Sequence, residues 1–124
     1  MPATVLVVED NESLREPLVE LLTDEGYAVR AAEHGQAALD ILQSWRPDLI
    51  LLDLAMPVMD GLAFLARISA IPAAATIPVI VLSAYIGYLE GTPPPNVVVV
   101  IQKPYDVARL LETVADVLAK GRPE

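Results

Sequence analysis

Cysteine is missing from this chain of 124 residues, which excludes disulfides and thiol chemistry and fits a reducing compartment. Histidine is nearly missing: His34 alone, with no cysteine to join it, argues against a zinc site. Bases are scarce, eight Lys and Arg against seventeen Asp and Glu. The resulting net charge of -9 repels phosphate backbones and anionic membranes alike. Neither nucleic acid nor a membrane is therefore an expected partner. No apolar run approaches a membrane span, and the lead-in Met1-Pro2-Ala3 lacks the basic, apolar character of a secretory signal. The expectation is a cytoplasmic protein. Repeats, low-complexity tracts and linkers are absent as well, so residues 1–124 are read as a single domain with one core.

What the chain does contain is a series of short, dense apolar runs. Val5 to Val8, Leu49 to Leu52 and Val79 to Leu82 are too short for helices and suit buried strands, and Val97 to Ile101 is read as a fifth strand. Tyr27 to Ala32 is interrupted by Arg30, as an edge strand tolerates. Helical spacing fills the gaps. Leu14, Leu18, Leu21 and Leu22 mark a first helix, with Ser13 and Glu16 as a capping box and Gly26 as its stop. Pro17 removes one hydrogen bond near the first turn, where that costs less than in mid-helix. A second helix runs from about Gly35 to Trp45 on Ala38, Ile41 and Leu42, with Trp45 as a lid. A third carries Leu62, Leu65 and Ile68 and ends in a loop bracketed by Pro72 and Pro78. A closing helix spans about Asp106 to Ala119 on Val107, Leu110, Leu111, Val114 and Leu118. Between Ser83 and Asn96, Gly87, Gly91 and Pro93-Pro94-Pro95 discourage a full helix, so a fourth helix is expected to be short or replaced by a loop. Alternation of this kind predicts an α/β fold: a doubly wound, five-stranded parallel sheet with helices on both faces.

Right-handed crossovers place every strand's carboxyl end on one rim, where open α/β sheets bind their ligands. Glu9, Asp10, Asp53, Ser83 and Lys103 all stand at such ends. Asp53 closes the central run, and Met56-Pro57 with Asp60-Gly61 then reverses the chain. Carboxylates this close repel by on the order of 4 kcal/mol per pair at an effective dielectric near 20, so a cation must sit among them. Lys103 supplies one charge, and the oxygen-only ligand set suits Mg²⁺. A hydroxyl, an ammonium and a metal around a lone carboxylate make a phosphoryl cradle in which Asp53 attacks in line.

The sequence resembles a receiver domain of the bacterial response-regulator family over nearly its whole length. The resemblance rests on VVED at Val7 to Asp10, DLAMPVMDG at Asp53 to Gly61, LSA at Leu82 to Ala84 and KP at Lys103-Pro104. It implies a flavodoxin-like strand order of 2-1-3-4-5 and a two-component signalling switch. By the same implication Asp53 is phosphorylated by a histidine kinase or phosphotransfer protein, and a downstream protein target responds. Asp10, Asp53 and the Ala55 carbonyl would bind Mg²⁺, or Mn²⁺ in its place, with Glu9 acting mostly through water. Ser83 would take a phosphoryl oxygen, Lys103 would pair with phosphate or Asp53, and Lys103-Pro104 would be cis. Were Met1 and Glu124 the true ends, the receiver would stand alone, free to form a homodimer.

Two departures bear on the readout. Val100 stands where the family usually has an aromatic residue, and the Gly- and Pro-rich loop replaces the usual fourth helix. Tyr85 or Tyr88 is expected to shield the site or meet a partner, with motion concentrated between Ala84 and Thr92. Ala55 offers no polar side chain to align water, which predicts a long-lived acyl phosphate. His34 is read as a surface residue or a helix-start residue, away from the rim. The alternatives are a receiver-like interaction module that works without phosphate and a small Mg²⁺-dependent phosphohydrolase. Ala55 argues against the hydrolase, because it occupies the place of a second acid.

Overall fold

Three of the apolar runs, Val5 to Val8, Leu49 to Leu52 and Val79 to Leu82, are fully buried, as strands covered on both faces must be. A computed structural model describes residues 2–53, 58–83 and 96–120, with residues 58–62 described by their backbone alone. Its elements are β1 (Thr4–Val8), α1 (Glu12–Asp24), β2 (Ala28–Ala32), α2 (Gly35–Leu42), β3 (Leu49–Asp53), α3 (Val58–Ser69), β4 (Val79–Ser83), β5 (Val97–Gln102) and α4 (Val107–Lys120). All strand pairs are parallel, in the order β2-β1-β3-β4-β5. The doubly wound expectation holds. The stretch expected to lack a helix, residues 84–95, lies outside the described residues.

Alternation along each strand divides the core in two. Leu6, Val8, Ile50, Leu52, Val79 and Val81 meet Leu39, Leu42, Phe64, Leu65 and Ile68 of α2 and α3. Val5, Val7, Leu49, Leu51, Ile80 and Leu82 meet Leu18, Leu22, Leu110, Val114 and Val117 of α1 and α4. β5 breaks the alternation once: the register moves from Val79↔Val97 to Ile80↔Val99, and the skipped Val98 is 41% exposed. At the other edge, Arg30 of β2 lies 4.7 Å above the ring of Trp45, which packs on the α2 side of the core.

Several local expectations need correction. α1 begins at Glu12, so its N-cap is Asn11, whose Oδ1 accepts from the Ser13 N–H at 2.9 Å; the predicted Ser13/Glu16 box is not the cap. The stop at Gly26 stands, with φ +95° after the Glu25 C-cap. α2 ends at Leu42, three residues before Trp45, although Trp45 N still donates to Ile41 O at 3.0 Å. Leu14 and Val107, predicted to face the core, are 44% and 48% exposed. His34 is the N-cap of α2, its Nδ1 accepting from the Ala37 N–H at 3.0 Å.

Candidate functional site

The parity that splits the core also aims the rim. Glu9 continues the series Val5, Val7, and Asp53 continues Leu49, Leu51, so both carboxylates fall on the α1/α4 side. Glu9 is fully buried and Asp53 is 2% exposed, while Asp10 is exposed at the outer rim. The backbone N–H of Glu9 donates to Ala32 O at 3.0 Å, which fixes the end of β1 against β2. Asn11 N donates to Glu9 Oε2 at 3.2 Å, while buried Glu9 Oε1 has no hydrogen-bond partner among the described residues.

Lys103 follows β5, and its N–H donates to the carbonyl of buried Ser83 at 2.8 Å. The Lys103-Pro104 peptide is cis. From there Nζ reaches Asp53 Oδ2 at 2.5 Å. Among the described residues Glu9 has no such cationic partner. Burial, reinforced by the Asp53 carboxylate and Asp10, pushes its pKa from 4.5 up to about 8, against the opposing pull of the Asn11 N–H.

Among the described residues no group of three His, Asp or Glu side chains is set to hold a metal as it stands. The chemistry of the donors nevertheless fits Mg²⁺: they are oxygens, and an unpartnered buried Glu9 Oε1 beside Asp53 is the kind of atom a hard cation satisfies. Glu9, Asp10 and Asp53 are the residues that would hold it. Ala55, Tyr85 and Tyr88, assigned to metal binding and shielding, lie outside the described residues. Val100 is half-buried against the α2/α3 side of the core, where no aromatic swing is available to it.

One neighbour escaped the sequence reading. Tyr105, two residues after Lys103, is half-buried against the α1/α4 cluster. Burial raises its phenol pKa, with the negative charges of Asp53 and Glu9 adding to the effect. Its proximity to the Lys103-Pro104 pair was the available signal. Tyr105 also walls a groove of about 600 Å³ that opens on Asp53 and Lys103. Leu14, Pro17 and Leu21 of α1 form one side, with Pro104, Tyr105 and Val107 opposite. The two unexpectedly exposed apolar residues of the helices therefore belong to one feature.

The sequence profile of the response regulator receiver domain matches residues 5–115. The chain belongs to that family. It is 36% identical to protein Rrf1 of Nitratidesulfovibrio vulgaris over 127 residues, covering all of this chain and 91% of that one. Sporulation initiation phosphotransferase F of Bacillus subtilis is 34% identical, over 92% of each chain. Among solved structures, the response regulator TrrA of Thermotoga maritima in complex with Mg²⁺-BeF superposes with a TM-score of 0.79 at 31% identity. The match covers 93% of this chain and 98% of TrrA. Receiver domains are signalling switches with a phosphoacceptor role in two-component transduction, and this chain is one of them.

Proposed function

We propose that Asp53 is the phosphoacceptor and that Glu9, Asp10 and Asp53 hold the Mg²⁺ its phosphorylation requires. The observation that carries this reading is the placement of a buried carboxylate at the end of β3, 2.5 Å from Lys103 Nζ and beside Glu9. In the reaction an Asp53 oxygen attacks phosphorus and the bond from phosphorus to the donor's imidazole nitrogen breaks, that nitrogen keeping the electron pair. Mg²⁺ held by Glu9, Asp10 and Asp53 would supply positive charge against the phosphoryl group. Lys103 neutralises negative charge shared by Asp53 and the incoming phosphoryl oxygens, and Ser83, buried at the end of the neighbouring strand, donates its hydroxyl to one of those oxygens. The donor is a histidine kinase or phosphotransfer protein, which reaches Asp53 along the α1 groove. The switch acts on a downstream protein, and catalysis is confined to gain and loss of its own phosphoryl group.

Intact mass after incubation with acetyl phosphate and Mg²⁺ tests the assignment. Wild type gains one phosphoryl group, whereas Asp53→Asn, or wild type with the metal chelated, gains none. An unmodified wild type would favour the interaction module that works without phosphate, the reading that Val100 keeps open.

A further inference from the structure

Arg15 is a cation on the first turns of α1, where the helix dipole disfavours positive charge, so its position needs a compensating partner. The partners are backbone carbonyls. Its Nη1 donates to Glu9 O at 2.9 Å and lies 3.5 Å from Asp10 O, while its own N–H donates to Asn11 O at 2.8 Å. Asn11 N in turn donates to Glu9 Oε2. The side chain thus ties residues 9 and 10, next to the ordinary helical hydrogen bond that holds residue 11.

We propose that Arg15 is a positioning residue for the metal site, clamping the β1–α1 turn so that the Glu9 and Asp10 carboxylates stand ready for the cation. The inference rests on the Mg²⁺ assignment above and adds to it a residue that does not touch the metal. A charge-assisted hydrogen bond to a carbonyl oxygen is strong, and the planar guanidinium holds it in a fixed direction that a lysine, a point charge on a flexible stem, does not reproduce. The charge of Arg15 by itself repels a nearby cation. Clamping and simple electrostatics therefore predict opposite outcomes when Arg15 is removed.

The test is the Mg²⁺ dissociation constant, measured calorimetrically on wild type, Arg15→Lys and Arg15→Met, with Asp10→Asn as the ligand control. Losing hydrogen bonds that orient metal ligands costs roughly 10–100-fold in affinity, and both Arg15 variants are expected to bind about tenfold more weakly. Metal-free hydrogen exchange adds a second measurement: the amides of residues 9 to 11 exchange faster in both variants while the sheet is unaffected. Unchanged affinity and exchange in both, or tighter binding by Arg15→Met with Arg15→Lys unchanged, would overturn the clamp. If wild type itself shows no saturable Mg²⁺ binding, the metal assignment fails and the clamp fails with it.

Discussion

Lys103 Nζ meets Asp53 Oδ2 at 2.5 Å although β4 lies between the strands that carry them. The side chain spans the end of β4, and the backbone N–H of Lys103 anchors its base on Ser83 O. Lys103→Met leaves Asp53 buried without this charge, and breaking a buried pair is destabilising. With Lys103 partly exposed, the expected loss is about 2–3 kcal/mol at neutral pH without metal, and added Mg²⁺ restores part of it. Urea denaturation with and without Mg²⁺ measures both quantities. Equal stability in the variant would mean that the pair adds nothing to the fold.

Glu9 makes stability depend on pH in an unusual direction. Its folded pKa of about 8 lies above the ordinary 4.5, so between these values the native chain holds a proton that the unfolded chain has released. The stability gained from neutral Glu9 is complete below the lower value and is lost as pH rises through the upper one. Metal-free melting temperature should fall from about pH 5 to about pH 8, and Glu9→Gln should flatten the slope. Scanning calorimetry decides, and a slope that survives in Glu9→Gln rejects Glu9 as its source.

Metal reverses that penalty. Binding only to the folded arrangement, Mg²⁺ at a hundredfold excess over its dissociation constant stabilises by roughly 2.7 kcal/mol. The gain should grow with pH as Glu9 ionises, and Asp10→Ala should reduce it without disturbing the sheet. Identical melting shifts in wild type and Asp10→Ala would remove Asp10 from the site.

The groove beside Asp53 separates two kinds of donor. Leu14→Glu places a charge on an apolar wall that a protein donor must cover, while a small phosphodonor needs no such contact. Losing about 1.4 kcal/mol of apolar contact corresponds to tenfold weaker docking. KM for a protein donor should rise about tenfold while labelling by acetyl phosphate is unaltered. A variant slowed equally with both donors would place the damage in the chemistry instead.

The strands were legible because burial on both faces leaves an unbroken apolar run, and Val5 to Val8 or Val79 to Leu82 permits no other reading at that length. Asp53 and Glu9 were legible for the same reason, as charges that end such runs, and Lys103 was legible as the cation that clustered carboxylates require. Spacing could not say which helix residues stop short of the core. Leu14 shares a helical face with Leu18, yet it lies one turn too far toward the rim and lines the groove instead. The cap was misplaced because Ser13 and Asn11 are both good capping residues, and where the first turn begins decides between them. Tyr105 stands two residues after Lys103 in the sequence, but its packing against the α1/α4 cluster comes from the fold of the chain there.

The displaced Val98 has a consequence for self-association. An edge strand written Val97-Val98-Val99-Val100-Ile101 would be a template for a neighbouring chain if it lay flat, and it carries no charge to discourage pairing. The register shift interrupts it after one residue, so a second molecule finds a bent edge with a side chain in the way. β2 is guarded differently, by the Arg30 guanidinium held over Trp45. Deleting Val98 would leave the core-facing residues of β5 in step with β4 while removing the bend. Such a protein would keep its fold and lose its guard, and aggregation rising steeply with concentration would begin at that edge.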